Sequence, residues 1–304
     1  MCIVSCLGFC CALRARVHYD VTMRAIFGWL SVALCAGFSL AGPVFALPAN
    51  AYCSGPVRIA LFEFGAMYRV ASKDGVDVGL IDELEKRTGC TFERLVRPRA
   101  RIWKELESGT LDMATSALRT PERSRYLFFT PYMQVRNLVL VRRSSAPSHL
   151  TLTGLEASGL RMGVVRGFRH EPVYDELVLR MRGLDRVVEA VDVADLLRML
   201  DRKLVDVVLS QPVVYAQYVA PEVVARDYDV YDWAPAADSA VGSLVFSRQR
   251  FTPEQFKRWD ALLQEMLRDG TITKIARQYV SPEQARELVY SGPRLPDEAV
   301  QTPP

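Results

Sequence analysis

From residue 55 onward the chain alternates short apolar runs with amphipathic ones, and no other feature limits the available folds as much. Val57–Phe62, Thr91–Val96, Leu111–Ala114 and Leu138–Arg142 read as strands. Between them, Leu80–Thr88, Ala100–Ser108 and Pro121–Tyr126 read as helices, the first two closed by Gly89 and Gly109. A second series follows, with strands Arg161–Val165, Val187–Ala190 and Val205–Leu209 and helices Glu171–Arg180, Val193–Leu200 and Val213–Tyr218. Strands separated by helices imply an α/β class with parallel sheets and right-handed crossovers. The 304 residues, half of them hydrophobic, suffice for two lobes with a core each.

The polar, proline-bearing segment RRSSAPSHLTL (142–152) predicts a hinge between the two series. DSAVGSLVFSRQ (238–249) predicts a return as an apolar strand. Residues 252–280 then supply two helices, each apolar on one face, divided at Gly270 and opened by the Thr252–Pro253 cap. The expected layout is a first lobe from 52–141 and 241–288, a second lobe inserted at 142–240, and a flexible tail at 289–304. Ligands of open α/β sheets sit at the carboxyl ends of strands, so the cleft between the lobes is the expected site.

Ahead of the fold, the stretch from Met23 has a short basic start, an apolar run rich in small residues, and then Ala49-Asn50-Ala51. That is the pattern of a cleaved secretory signal, with Val44-Phe45-Ala46 as a second candidate cut. Residues 1–51 are read as this leader, with Met23 as an alternative start. The competing reading is a membrane anchor over Ile26–Leu40 with its continuation, interrupted by glycines and a proline. Five of the seven cysteines fall in the leader, which leaves Cys53 and Cys90. A lone pair in an exported chain reads as one disulfide, against the alternative of two unrelated buried thiols.

Beyond residue 51 the charges balance at 35 basic and 34 acidic groups, which argues against a phosphate-tracking surface and against nucleic acid as a partner. No G-x-S-x-G, H-E-x-x-H, P-loop or dinucleotide-binding glycine pattern is present. His18 lies in the leader, His149 in the expected hinge, and His170 at a helix start where it is expected to face solvent. Neither a metal nor a cofactor is expected.

The stretch LRTPER (118–123) carries the sharpest local signal. Thr120 caps the helix start and Pro121 begins it without wasting a donor, which sets Arg123 one turn in, beside the positive end of the helix. A guanidinium stays charged and offers a bidentate fork for an anion; the alternative is an ordinary solvated arginine. Arg97, Arg99 and Arg101, at the end of another strand, would add positive potential to the same cleft.

In order, GLIDELEKRTGC, IWKELESGTLDM, TSALRTPERSRYLFFTPY, MGVVRGFRHE, DVADLLRMLDRKLVDVVLSQ and MLRDGTITKIARQYV resemble the bacterial extracellular solute-binding proteins of family 3, over about residues 56–285. These are the periplasmic, polar-amino-acid-type receptors of ABC importers. The resemblance implies a two-lobed type II periplasmic-binding-protein fold, with the second lobe inserted into the first. It also implies a monomer that closes on one small carboxylate-bearing ligand and presents it to an inner-membrane ABC permease. Carried over, Arg123 grips the ligand carboxylate, with Ser116 and Ala117 on the same loop. Phe64 and Tyr68 fall where an aromatic side chain meets the ligand, and Gly167-Phe168-Arg169 donates backbone amides from the second lobe.

Three positions depart from the family pattern: Leu118 where a hydroxyl is expected, Arg169 in place of threonine, and Gln211 in place of the acid that pairs with a ligand ammonium. A buried ammonium without a counter-ion is costly, so the expected ligand is a small organic anion or amino-acid-like solute. The chain is expected not to be an enzyme. The alternative on the same scaffold is a periplasmic enzyme resembling cyclohexadienyl dehydratases, with Glu63 or His170 as the acid. A detached sensory module ranks third.

Overall fold

The computed structural model describes residues 51–147 and 149–293; residues 1–50, and with them nearly all of the proposed leader, lie outside this range. The strands are β1 (Val57–Leu61), β2 (Phe92–Val96), β3 (Met113–Leu118), β4 (Leu127–Val135), β5 (Leu138–Arg142), β6 (Met162–Val165), β7 (Val187–Ala190), β8 (Val207–Ser210), β9 (Tyr228–Tyr231) and β10 (Ala240–Ser247). They form two five-stranded sheets, β2-β1-β3-β10-β4 and β7-β6-β8-β5-β9.

The α/β class holds, but the sheets are mixed. In the first, β1 runs parallel to β2 and β3 while β10 is antiparallel to β3 and β4. In the second, β6 is parallel to β7 and β8, and β5 is antiparallel to β8 and β9. The antiparallel strands follow from how the chain changes sheets. It leaves the first sheet along β4, crosses at Arg136-Asn137, and enters the second along β5; it returns through 232–239 into β10.

That path corrects the first expected boundary. Leu138–Arg142, placed at the end of the first lobe, pairs with β8 and β9, so the crossing lies ahead of it and RRSSAPSHLTL follows it within the second lobe. The expected tail also begins too early. Val289 bridges to Met133, and the Tyr290 amide donates to the Tyr132 carbonyl at 3.1 Å.

Helices Val76–Thr88, Arg99–Glu107 and Pro253–Arg268 pack Leu80, Ile81, Leu84, Ile102, Leu106 and Trp259 on the first sheet, each burying an apolar stripe. Thr252 and Gln255 close a capping box at the start of the last of these. One apolar cluster runs from this core through Phe64–Tyr68 and Val213-Val214 to Val165, Leu196 and Leu200 of the second lobe. A separate cluster, with Val139, Tyr174, Leu177 and Met181, covers the far side of the second sheet. Cys53 and Cys90 form a disulfide that ties the start of the described chain to the end of helix Val76–Thr88. No helix among the described residues is long and apolar enough to cross a membrane.

Candidate functional site

At the cleft end of β3, Ser116 adopts a left-handed backbone (φ 53°), next to a register shift in β10 between Ser243 and Val245. Its carbonyl accepts from Arg99 Nη2 at 2.7 Å, and that of Thr115 accepts from Arg99 Nη1 at 3.1 Å. Beneath it, Asp77 Oδ2 accepts from Ser116 Oγ at 3.0 Å and Oδ1 accepts from the Tyr132 hydroxyl at 2.5 Å. Burial pushes the Asp77 carboxyl up to about 6, although hydrogen bonds from Tyr132 and Ser116 favour its charged form.

Arg99 and Trp103 are four residues apart and so share one face of helix Arg99–Glu107. The Arg99 guanidinium stacks 4.1 Å from the Phe62 ring centre and 4.3 Å from that of Trp103. Arg123 lies 3.6 Å over Trp103, so one indole carries both cations. The Thr120–Pro121 start holds Arg123 in place, with Thr120 Oγ1 accepting from its amide at 3.2 Å. The guanidinium donates from Nη1 to Leu118 O and from Nη2 to Gly167 O, each at 3.0 Å.

Both guanidinium groups are 5% exposed. Burial lowers the Arg123 pKa to about 10; burial and then the neighbouring Arg123 charge hold Arg99 well below its usual value. Among the described residues, no carboxylate hydrogen-bonds either one.

Gly167 meets them from the second lobe. Its φ of 82° and the Ala100 backbone, 3.0 Å from where a Cβ would sit, leave room for glycine alone. Gly167 presents its carbonyl, which accepts from Trp103 Nε1 at 3.0 Å as well as from Arg123, while the Phe168 amide is used by Val165 O at 3.1 Å. The Phe168 ring stands edge-on to Phe62 and Phe64, with centroids at 5.7 and 5.8 Å. The cavity, partly open to solvent, is about 30 Å³. Phe62, Phe64, Leu118, Met133, Val135 and Phe168 wall it, Arg99, Arg123, Arg169, Ser116 and Gln211 give it polarity, and no described Asp or Glu lines it.

Residues 63–282 match the bacterial extracellular solute-binding proteins, family 3. The chain belongs to that family.

The solute receptor for L-cysteine of Neisseria gonorrhoeae resembles this family 3 protein with TM-score 0.63 and 17% identity, covering 78% of this chain and 96% of that one. An ancestral arginine-binding protein bound to arginine gives TM-score 0.62 and 21% identity, over 75% and 99%. Both support the type II periplasmic-binding-protein fold. A membrane-bound lytic murein transglycosylase F of Ectopseudomonas mendocina (strain ymp) is 25% identical over 224 residues, which is 71% of this chain and 41% of the relative. The chain thus spans about two fifths of that protein's length.

The family 3 structure brings Arg99, Ser116, Arg123, Phe64, Phe168, Arg169 and Gln211 to one cavity. Arg169 sits at its mouth, 3.7 Å from Glu122 across the cleft and 3.8 Å from Asp175. Two residues named from the family pattern lie elsewhere. Tyr68 packs in the core with its carbonyl accepting from the Phe64 amide, and Ala117 is buried in the sheet opposite Ser243. Arg97 and Arg101 both pair with Glu105, leaving Arg99 as the cleft cation of the three.

His170 does not face solvent: it is 7% exposed, with Nδ1 3.5 Å from Asp175 Oδ1. Glu63 turns away from the cavity and accepts from the Val70 amide and the Tyr218 hydroxyl.

Sequence reasoning missed Phe62, Trp103, Asp77, Tyr132, Asn137 and Glu171. The last two meet beside the cavity, where Glu171 Oε2 accepts from Asn137 Nδ2 at 2.6 Å and Oε1 from the Asn137 amide at 3.2 Å. Asn137 Oδ1 in turn accepts from Gln211 Nε2.

Proposed function

We propose that the protein captures a small organic anion in the cleft and, exported through its leader, delivers it to an inner-membrane ABC permease. One observation carries the reading: Arg99 and Arg123 share one indole, are buried, and hydrogen-bond only backbone carbonyls. Two desolvated cations without a hydrogen-bonded carboxylate form a site for one, because a carboxylate brings the opposite charge and a bidentate fit that neutral carbonyls lack. The cavity of about 30 Å³ has room for about two waters, so solute enters when the lobes part and Phe168 leaves Phe62 and Phe64. Closure around the solute then follows from contacts that only the closed form makes with it.

Binding is favoured over catalysis because Glu63 and His170, the acids an elimination would use, do not line the cavity. The test is a thermal-shift panel of organic acids, each beside its carboxamide. Stabilisation by acids and not by amides is expected; equal stabilisation would sink the anion reading.

A further inference from the structure

We infer that Glu171, acting through Asn137, orients the Gln211 amide so that its oxygen faces the cavity, and that the ligand is a carboxylate whose body carries a neutral hydrogen-bond donor such as a hydroxyl. The class of ligand rests on the anion reading above; the orientation of Gln211 does not.

Glu171 is 5% exposed at the N-cap of helix Pro172–Gly183, where its side chain caps nothing. A carboxylate only accepts, so Asn137 must offer it both the backbone amide and Nδ2. With Nδ2 turned to Glu171, Asn137, fully buried between β4 and β5, presents Oδ1 on the side that faces Gln211, and Oδ1 can only accept. Gln211 therefore turns Nε2 toward Asn137. Its Oε1 accepts no hydrogen bond among the described residues, and the side chain, 6% exposed, lines the cavity without capping its own short helix. Three residues scattered over 74 positions thus fix one polarity, and the cavity receives an acceptor from the second lobe.

A buried acceptor selects a donor, and leaving it unmet carries a desolvation cost. The donor is neutral for two reasons. Both Glu171 oxygens are already engaged by Asn137, and the cavity holds Arg99 and Arg123 but no lining acid, so an ammonium would meet repulsion without a counter-charge. The apolar wall of Phe62, Phe64, Phe168 and Met133 calls for an apolar body between the two ends.

The experiment compares 3-phenyllactate, 3-phenylpropionate and phenylalanine by calorimetric titration, each with its carboxamide. Wild type is expected to bind the hydroxy acid about tenfold tighter than the unsubstituted acid, and phenylalanine weakest. In Glu171→Gln the new amide can donate as well as accept, the relay loses its direction, and the tenfold ratio collapses while both acids still bind. A purely structural role would weaken both acids alike and keep the ratio, which overturns the inference.

Gln211→Glu should move the preference toward phenylalanine. Equal affinity of wild type for the two acids overturns the ligand class and leaves the anion reading standing; carboxamides binding as tightly as acids overturn the anion reading itself. Independently of any ligand, the Gln211 side-chain amide protons in an NMR spectrum of wild type should exchange slowly, and in Glu171→Gln faster. Fast exchange in wild type refutes the orientation whatever the probes do.

Discussion

The Tyr218 hydroxyl, carried by the second lobe, donates to the Glu63 carboxylate just beyond β1 in the first. Arg69 Nη1 donates to Gln217 Oε1 at 3.0 Å beside it, and the Ala66 amide to Val213 O at 3.1 Å. Burial and the Glu63 charge both raise the Tyr218 pKa, so the phenol keeps the proton it donates. These bonds exist only while the lobes meet, and they favour closure without any solute. Tyr218→Phe should shift the closed-to-open ratio about fivefold, from a loss of about 1 kcal/mol at this partly exposed site. Distances between spin labels on the two lobes report it; an unchanged distribution would show that the bond contributes nothing to closure.

Truncating one cation of the pair should be costly, because the other partner loses a charge-assisted bond in a desolvated site. Arg123→Ala is expected to weaken the native solute by about 2–5 kcal/mol. Arg123→Lys should recover only part of this, since an ammonium lacks the planar fork and stacks less well on Trp103. Titration calorimetry on both variants checks it, and affinity within a factor of about two of wild type for the alanine variant removes Arg123 from the site.

Asp77 gives the fold a pH dependence of defined sign. Its carboxyl rises from an ordinary 3.8 to about 6 in the folded chain. Between those values the folded state keeps a proton that the unfolded state has lost, so stability falls as pH rises. The deficit is absent below 3.8 and complete above about 6, where it amounts to about 3 kcal/mol. Urea unfolding of wild type and Asp77→Asn at pH 4 to 7 isolates it, because asparagine has no proton to lose. Parallel pH profiles would mean that Asp77 titrates normally.

The Cys53–Cys90 bridge closes a loop of sequence separation 37 in the unfolded chain. Reduction, or Cys53→Ser with Cys90→Ser, should cost about 4 kcal/mol on the loop-entropy account. Solute affinity below the melting range should remain, since the bridge lies outside the cavity lining. Thermal scans with and without reductant, followed by titration, separate the two effects.

Legibility in the sequence followed locality. Apolar runs such as Val57–Leu61 and the periodic helix Pro253–Arg268 announced themselves because their burial is written in neighbouring residues. Strand β4 did not, since Pro131 interrupts the run; the proline is tolerated because β4 is the edge of its sheet. Arg123 was readable through its own cap at Thr120-Pro121. Trp103 read as an ordinary residue of an amphipathic helix, and only the fold brings the two arginines onto it. Asp77 looked like a normal first-turn acid, and nothing local says that Tyr132 and Ser116 will enclose it. Asn137, Glu171 and Gln211 come from three separate segments, so their polarity exists only in three dimensions.

The Gly167 carbonyl, held by Trp103 and Arg123 together, gives the cleft an admission threshold. A solute that engages the Nη2 arm of Arg123 must evict a piece of the protein's own backbone, so the affinity measured is the difference between two bindings. An incoming neutral carbonyl merely replaces another and gains nothing from the exchange. A carboxylate adds the attraction of opposite charges in a desolvated site and wins. Discrimination for full negative charge is thereby set by a residue with no side chain at all.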